Sequence, residues 1–459
     1  MNPSAAPPAR VAIVGAGWAG LAAAVRAVQD SHHVTVFEAA RHLGGRARGL
    51  PLRLPDGREL RVDNGQHILI GAYTDSLRLM RTVGVDPAQV LLRRPLALQF
   101  PDGSGLRLPD WPAPLDAAAG ILAARGWPWR DKLALLRAAA GWRRAGFACA
   151  ATATVADLCA DLPPRLIAEF IEPLCVSALN TPMAQASGQV FLRVLRDALL
   201  GPRGGSNLLL PRIDLGALFP EAAARWLEAR GARVLTGQRI DALRWQPPHW
   251  HAAGQAFDCV IIATSAPNAA KTLIQSALDA PDSAAYRLRR WSEGTARLAH
   301  RAITTVYART RPAPAGRALL HSPMVALRSA ADAPAQFVFD RDAIVPPGPP
   351  TGLLAFVVSD SSGERADLEA AITRQALRQL GLRVEPLLTL TEKRATFACT
   401  PALARPALAI APGLRACGDY VDGPYPATLE GAVRSGWQAA ADLHTAGLES
   451  PPQAGVVQW

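Results

Sequence analysis

A glycine-rich turn between two apolar strands near the start of the chain constrains its fold more than any other feature. Residues 11–14 form an apolar run typical of a buried strand, and a Gly-x-Gly-x-x-Gly turn follows directly. A helical Ala/Leu stretch and a second apolar run come next, and that run ends at Glu38. This order predicts a βαβ unit that binds a dinucleotide, with the pyrophosphate at the helix N-terminus and a ribose at the carboxylate. The predicted contacts are Gly15, Gly17, Trp18, Ala19, Gly20 and Glu38.

A second glycine motif indicates which dinucleotide binds. Gly44, Gly45 and Arg46 follow the ribose carboxylate, and Arg48 lies two residues further on. This Gly-Gly-Arg-x-Arg segment resembles the extended fingerprint of FAD enzymes in the amine oxidase and carotenoid desaturase superfamily. The resemblance implies that the glycines let the loop pass over the cofactor and that Arg46 places a guanidinium near the pyrophosphate. An NAD site has no need of this segment, so the sequence predicts FAD.

The C-terminal part carries a matching half-site. A short strand ends in Gly418 and Asp419, and a Gly/Pro loop then leads into a helix that opens near Thr428 and Leu429. In the same superfamily this pattern resembles the second flavin contact, which implies that the Asp touches the ribityl and pyrophosphate region. It also implies that the helix N-terminus points at the N1 edge of the isoalloxazine ring, where it stabilises the negative charge of a reduced flavin.

The middle of the chain returns to the same predicted sheet. Strand-like pieces at residues 233–236 and 239–245 precede an apolar strand that ends at Thr264. This resembles the segment with which FAD domains of the superfamily rejoin the sheet after a β excursion. The resemblance places Ile240 near the adenine and Thr264 beside the cofactor, although a core strand without cofactor contact is an equal alternative for Thr264.

Two long insertions separate these segments, so the predicted fold is α/β with a discontinuous domain. We expect a Rossmann-like FAD-binding domain in residues 1–90, 205–275 and 400–446, substrate-binding lobes in 91–204 and 276–399, and a tail in 447–459. Apolar periodicity predicts helices at 115–147, 154–160, 164–178 and 187–200. The second insertion mixes strands at 303–307 and 353–358 with a helix near 364–380. A helical lobe rich in Leu, Ala and Trp favours a long hydrocarbon substrate over a charged one.

Composition narrows the class of protein further. The six cysteines and nine histidines show no metal-ligand spacing, so we expect reduced, buried thiols and no metal site. No uncharged apolar run reaches 18 residues, which argues against a transmembrane helix. The apolar run after Arg10 is also typical of a secretory leader, but the glycines in register and the strand that follows them favour the dinucleotide unit. We therefore predict a cytoplasmic enzyme without a leader.

The net charge of +11 favours an anionic partner. No nucleic-acid recognition motif accompanies this charge, so we predict no nucleic-acid partner. Between residues 121 and 144, tryptophans stand beside arginines on apolar helical stretches. This combination is typical of peripheral contact with an anionic membrane surface, here the inner face of the cytoplasmic membrane. A core-packing helix with a solvated basic face explains it equally well, and the sequence leaves both alternatives open.

Several further segments resemble one group within the superfamily. They are the Asp-Asn-Gly-Gln-His run at 63–67, the Asn-Thr-Pro at 180–182, residues 186–197 and 208–220, and the run from Tyr425 to Gly436. Together they resemble the squalene-associated FAD-dependent desaturases of bacterial hopanoid biosynthesis. This resemblance implies a long-chain isoprenoid substrate, hydroxysqualene, whose allylic hydroxyl leaves and is replaced by a hydride from flavin N5. Because no second Gly-x-Gly-x-x-Gly follows a strand, the external electron donor stays unknown.

The hydroxyl is a poor leaving group and requires a proton donor. The sequence contains more than one candidate donor and does not decide between them. The resemblance brings His67 close to the flavin, and an imidazole donates near neutral pH. Asp63 is a candidate to orient His67, and Tyr425 is a second candidate donor. The alternative is that the segment from Asp63 to His67 only braces the flavin loop.

Three other functions remain open at this point. A carotenoid or phytoene desaturase uses the same fold oxidatively on a polyene, although the run at 63–67 weighs against it. An amine oxidase usually has a lysine near flavin N5, and none of the three lysines lies in a flavin motif. A lipid-binding relative without flavin shares the architecture, but the FAD motifs at both ends of the chain argue against it.

Overall fold

A computed structural model describes residues 7–199, 201, 203–311, 318–345, 348–441 and 443 of the chain. The predicted tail at 447–459 lies outside these residues. Within them, the strands are β1 Arg10–Val14, β2 His33–Glu38, β3 Gly49–Arg53, β4 Glu59–Asp63, β5 Leu69–Ile70, β6 Leu91–Arg94, β7 Ala97–Gln99, β8 Gly105–Arg107, β9 Leu208–Pro211, β10 Arg233–Thr236, β11 Arg244–Gln246, β12 His249–Ala252, β13 Gln255–Phe257, β14 Cys259–Ile262, β15 His300–Arg309, β16 Met324–Ala326, β17 Phe337–Asp340, β18 Leu353–Ser359, β19 Glu385–Phe397, β20 Ala409–Ala411 and β21 Leu414–Ala416.

The helices lie between these strands, singly or in consecutive runs. They are α1 Trp18–Gln29, α2 Thr74–Thr82, α3 Pro87–Val90, α4 Leu115–Ala123, α5 Trp129–Arg144, α6 Val155–Leu158, α7 Pro164–Leu166, a π-helical turn Ile167–Ile171, α8 Glu172–Leu179, α9 Gly188–Leu199, α10 Leu215–Leu218, α11 Pro220–Glu228, α12 Ala266–Ser276, α13 Asp282–Ala296, α14 Arg341–Ile344, α15 Arg365–Leu380 and α16 Leu429–Ala439. No helix in the described ranges is both long and apolar enough to cross a membrane.

A six-stranded sheet forms the centre of the molecule, in the order β10-β2-β1-β14-β21-β20. The first five strands are parallel, and β20 pairs with β21 in the antiparallel direction. Strands β1 and β14 are buried almost throughout, as expected for parallel strands covered on both faces. The sheet draws its strands from three separated stretches of the chain. The predicted α/β fold with a Rossmann-like, discontinuous domain is therefore confirmed.

Glycines bring the elements of this domain into close contact. A Cβ atom at Gly20 would overlap the carbonyl oxygen of Gly15, and one at Gly436 would overlap that of Ala19. Helix α1 therefore packs directly on the turn after β1, and α16 packs directly on α1. This packing sets the positions of both helix N-termini.

A second sheet is antiparallel throughout, in the order β16-β17-β18-β15-β19. Helix α15 covers it, with Ile372 and Ala376 buried against Val306, Phe356 and other residues of the strands. Helices α4 to α9 make up most of the predicted helical region, which agrees with its apolar periodicity. The two inserted parts and the central sheet share one large apolar core.

The strand predicted at residues 239–245 is wrong in its extent. The stretch 239–245 is not a continuous strand, because only Arg244–Gln246 forms one. The backbone before it bonds to side chains of α12 instead: the Ile240 carbonyl accepts from Thr272 Oγ1 at 3.4 Å, and Leu243 N donates to Ser276 Oγ at 2.7 Å. These side chains satisfy backbone groups that a strand would pair with a neighbouring strand.

Candidate active site

A cavity of about 640 Å³ lies at the carboxyl ends of the central parallel strands. Gly15 follows β1, Glu38 ends β2, Thr264 follows β14 and Gly418 follows β21, and all four residues line this cavity. Ligands of open α/β sheets bind at this edge, because the loops that leave parallel strands meet there. The structure thus brings together motifs that are about 400 residues apart in the sequence.

The Gly15–Gly20 turn has the shape that a pyrophosphate needs. Gly15 has φ +114°, and a Cβ there would lie 2.8 Å from the Ala263 carbonyl oxygen, so a side chain is excluded. Gly17 differs, because a Cβ at that position would meet no atom within 4 Å and would project into open space. No side chain caps the N-terminus of α1, so its N–H groups remain available to an anion. Trp18 and Ala19 line the same wall.

The Glu38 carboxylate is held in place by the backbone. Its Oε2 accepts from Ala16 N and its Oε1 accepts from Ala40 N, both at 2.8 Å. Each oxygen keeps a further lone pair for a ribose hydroxyl. Ile240 lines the cavity beside this region and is buried.

Sequence reasoning missed several residues at this end of the cavity. They are Gln238, Arg239, Asn268 and Lys271. Asn268 and Lys271 lie on α12, the helix that bonds to the Ile240 backbone. Their place in the sequence could have indicated them, because α12 begins directly after Thr264 at the same edge of the sheet.

The Gly-Gly-Arg segment joins the two halves of the site. Gly44 N donates to the Ala16 carbonyl at 2.9 Å, which holds the segment against the glycine turn. Arg46 Nη2 lies 2.5 Å from Asp419 Oδ1, and its Nη1 donates to the Ala395 carbonyl at 2.7 Å. The Asp419 carboxylate raises the pKa of Arg46, so the guanidinium remains charged. A Cβ atom built at Gly45 would lie 3.5 Å from Gly17 Cα, so the two glycine segments pack closely.

The C-terminal helix α16 also points its N-terminus at the cavity. Thr428 caps it, because Thr428 Oγ1 accepts from Gly431 N at 2.9 Å. The same hydroxyl donates to the Tyr425 carbonyl at 3.0 Å, which fixes the entering loop. Thr428 and Leu429 line the cavity, so the positive end of the helix faces its interior.

Two buried hydroxyl groups in the cavity wall have no partner among the described residues: Thr264 Oγ1 and the Tyr420 hydroxyl. Buried polar atoms are nearly always hydrogen-bonded, so an unpaired one in a cavity wall indicates a polar ligand. With the open face at Gly17 and two helix N-termini, these groups fit a bound FAD.

His67 lines the cavity, and its ring orientation is fixed by the backbone. Nδ1 lies 2.6 Å from the Gly65 carbonyl, so Nδ1 carries a hydrogen and Nε2 is the acceptor of the neutral ring. Burial lowers the pKa of His67, with a smaller contribution from the positive charge of Arg46. The imidazole is therefore neutral near pH 7, which makes it a weaker source of protons than the sequence suggested.

Asp63 does not have the predicted orienting role. Its Oδ1 accepts from Leu215 N at 2.7 Å and its Oδ2 has no partner, so the carboxyl group does not bond to His67. The side chain is fully buried, and this burial raises its pKa to about 7. Tyr307 of β15 donates to the Asp63 carbonyl at 2.9 Å. Asp63 thus braces the loop against neighbouring elements, and Gly65 orients His67.

Tyr425 lines the cavity next to Asp197 of α9. Burial, and then the neighbouring Asp197 carboxylate, raises the pKa of Tyr425, so its hydroxyl stays protonated. The guanidinium of Arg434 lies 4.5 Å from the centre of its ring. These contacts hold the phenol at the junction of α9 and α16.

Much of the remaining wall of the cavity is apolar, and it comes from both inserted parts of the chain. Sequence reasoning did not single out these residues, because they lie on elements with ordinary core patterning. They are Leu96, Leu98, Leu174, Val190, Val194, Ile303, Met324, Phe337, Phe339 and Val357. A lipophilic group can therefore occupy the space next to the dinucleotide motifs.

Comparisons with known proteins agree with this geometry. The chain is 28% identical over 457 residues to hydroxysqualene dehydroxylase from Rhodopseudomonas palustris, covering 94% of this chain and 97% of the relative. It is 26% identical to the enzyme of the same name from Zymomonas mobilis, covering 94% and 98%. Zeta-carotene desaturase from Capsicum annuum is 34% identical over only 80 residues, which are 17% of this chain and 13% of that protein.

Solved structures show the same fold. Cyclohexylamine oxidase from Brevibacterium oxydans has a TM-score of 0.63 at 16% identity, covering 95% of this chain and 99% of that chain. The family model of flavin-containing amine oxidoreductases matches residues 18–444. The chain therefore belongs to the family of flavin-containing amine oxidoreductases, and it is an FAD-dependent oxidoreductase.

Proposed function

We propose that this enzyme converts hydroxysqualene to squalene. In this reaction the allylic C–O bond breaks, the hydroxyl takes up a proton and leaves as water, and a hydride forms the new C–H bond. Bound FAD, once reduced, supplies the hydride. The observation that carries the proposal is that one cavity joins the dinucleotide motifs to a wall of aliphatic and aromatic side chains. The names and full-length coverage of the two bacterial relatives support the same substrate.

The cavity wall suits a reaction that develops positive charge on an allylic carbon. Phe337 and Phe339 alternate along β17 and both line the cavity, as do Tyr420 and Tyr425. Aromatic faces attract a cation, and more strongly where water is excluded. An apolar wall also keeps water from capturing the cation before the hydride does.

We propose that the proton reaches the leaving hydroxyl through Nε2 of His67. Because the Gly65 carbonyl holds Nδ1, Nε2 is the ring atom that exchanges protons with a ligand in the cavity. The pKa of His67 lies below its usual value of about 6.5, so the protonated fraction grows as the pH falls below that value. Turnover should therefore increase with falling pH, and His67→Gln should remove this dependence.

His67→Ala provides a second test of the same role. The variant should keep bound FAD, because the dinucleotide motifs are intact, and should lose turnover by roughly 10²–10⁴-fold. The flavin absorbance of the purified variant and squalene formation measure the two effects separately. Unchanged squalene formation would remove His67 from the mechanism and leave it as a brace of the loop.

An anaerobic experiment tests the reaction itself. The flavin of the purified enzyme is reduced chemically, hydroxysqualene is added, and the flavin band is followed while the lipid is extracted. Flavin reoxidation with an equal amount of squalene is the expected result. A flavin that stays reduced, with the alcohol recovered intact, would contradict the proposal; turnover of a polyene by the oxidised enzyme would then indicate a desaturase.

A further inference from the structure

Residues 111–144 form a helical hairpin, in which α4 and α5 are joined by a turn at 124–128 and Trp111 precedes α4. We call this unit the 111–144 hairpin. Among the described residues, nine large apolar side chains are strongly exposed, and five of them belong to this hairpin. The five are Trp111, Leu115, Leu122, Trp129 and Leu133. A cluster of this kind is unusual on a soluble surface and marks a site of contact.

On each helix of the hairpin, the exposed apolar side chains lie on one side. On α5, Trp129 and Leu133 are four residues apart, and on α4, Leu115 and Leu122 are seven apart, so each pair lies on one side of its helix. Lys132 brings the two helices together, because its Nζ donates to the Leu122 carbonyl at 2.7 Å and lies 5.0 Å from the Trp129 ring centre. Trp129 is 65% exposed and Leu115 is 62% exposed.

The same hairpin exposes positive charge and no negative charge. Its exposed basic residues are Arg125, Arg130, Arg137, Arg143 and Arg144. Its only acidic residues are Asp116 and Asp131, which are buried at 4% and 3% exposure. Tryptophan and leucine side chains framed by arginines match an interface where hydrocarbon and anionic phosphates meet.

The hairpin is also attached directly to the cavity wall. Gly105 of β8 exchanges two backbone hydrogen bonds with Arg125, at 2.9 and 3.1 Å. Strand β8 pairs with β7, and Leu98 of β7 lines the cavity. Asp116 of α4 accepts from Ser206 Oγ at 3.5 Å, and Ser206 is another lining residue. The hairpin is therefore connected to the cavity wall through the two-stranded ribbon of β7 and β8 and through Ser206.

We propose that the 111–144 hairpin docks on the surface of an anionic phospholipid bilayer. Trp111 and Trp129 insert at the boundary between headgroups and acyl chains, and the exposed arginines contact lipid phosphates. The apolar side chains give no advantage in binding a nucleic acid backbone, whereas both parts of the surface are used at a bilayer. Docking is measured without turnover, so this inference does not depend on the proposed reaction.

Vesicle binding by the full-length holoenzyme tests the proposal. Vesicles of phosphatidylcholine alone are compared with vesicles that also contain phosphatidylglycerol, by co-sedimentation. Each arginine near an anionic surface contributes about a five-fold factor to binding, so Arg130→Gln/Arg137→Gln/Arg144→Gln should weaken it on the order of 100-fold. Trp111→Ser/Trp129→Ser should weaken it about 10-fold and should reduce quenching of tryptophan fluorescence by brominated acyl chains.

Matched controls remove the same chemistry from other surfaces. Arg289→Gln/Arg290→Gln/Arg374→Gln removes three exposed charges from α13 and α15, and Tyr286→Ser/Leu377→Ser removes two exposed apolar side chains. Both controls should bind vesicles almost as the wild type does, and flavin absorbance confirms that every variant is folded. Equal loss in hairpin and control variants would overturn the proposal in favour of diffuse charge attraction. Absence of binding to anionic vesicles, or hairpin-dependent binding to DNA without lipid quenching, would overturn it as well.

Discussion

The buried carboxyl group of Asp63 couples the stability of the fold to pH. Burial raises its pKa in the folded protein to about 7, whereas the pKa of an Asp in an unfolded chain is about 3.9. The stabilising contribution of the protonated group is fully present below the unfolded value and is lost as the pH rises through 7. We expect this group to lower the free energy of unfolding by a few kcal/mol between about pH 4 and 7. Denaturant unfolding of the wild type and of Asp63→Asn at several pH values measures this difference.

The Asn side chain of Asp63→Asn keeps an acceptor for Leu215 N but cannot ionise. The free energy of unfolding of this variant should therefore increase relative to that of the wild type as the pH rises. Asp56→Asn is a suitable control, because the Arg58 side chain lowers the pKa of Asp56 to about 2 and the sign of its effect is opposite. The Asp56 variant should lose stability relative to the wild type as the pH rises from about 2 to 4. Parallel pH profiles for the wild type and Asp63→Asn would contradict the assigned protonation.

At the scale of secondary structure, the contact between α1 and α16 determines where two helix N-termini point. A Cβ at Gly436 would overlap the Ala19 carbonyl oxygen, so Gly436→Ala must push the helices apart. We expect a loss of about 1–3 kcal/mol in the free energy of unfolding. Retention of FAD should fall as well, because α16 begins at the cavity. Thermal unfolding and the flavin content after gel filtration measure the two effects.

Gly294→Ala is the matched control, because Gly294 lies in the last turn of α13 and a Cβ there meets no atom within 4 Å. This variant should be neutral or more stable by about 0.5–1 kcal/mol, since glycine is the poorer helix former. If Gly436→Ala unfolded at the same temperature as Gly294→Ala and kept its flavin, close packing of α1 on α16 would not be needed for stability or for FAD retention.

Sequence periodicity predicted elements well where local pattern and burial agree, and less well where distant contacts decide. The strand predicted at 233–236 has the bounds of β10. The helical run predicted over 115–147 is instead two helices, because Gly126 has φ +79° and the backbone of Arg125 pairs with Gly105. Such a break depends on a strand that the periodicity of the run does not contain.

For the whole molecule, the motifs indicated which distant segments share the cavity, because each motif occurs at the end of a strand. The partners of individual groups were not predictable in this way. Asp63 contacts α10 and Gly65 orients His67, since these contacts depend on how the loop lies against separate elements. The apolar wall at Phe337 and Phe339 was also missed, because alternation along a strand shows that a face is buried and not what it faces.

Arg46 connects three distant parts of the chain at the cavity. We expect its removal to weaken FAD binding. It bonds to Asp419 beyond β21 and to Ala395 of β19, while its own segment follows β2. Arg46→Ala would leave the Asp419 carboxylate, 9% exposed, without its cation in a wall that faces an anionic cofactor. A charge-assisted hydrogen bond contributes about 1.5–3 kcal/mol, so the Kd for FAD should rise roughly 10–100-fold.

Titration of the apoenzyme with FAD, followed by flavin fluorescence, measures this effect. The Kd of Arg46→Lys for FAD should lie between those of the wild type and Arg46→Ala. A compact ammonium group cannot reach both Asp419 and the Ala395 carbonyl as a planar guanidinium does. Arg365→Ala removes an exposed arginine that pairs with Glu369 on α15, and it should leave the Kd unchanged. If Arg46→Ala bound FAD as tightly as Arg365→Ala, the link between the two ends of the chain would be structural and the cofactor would be held by the backbone N–H groups of α1 and α16.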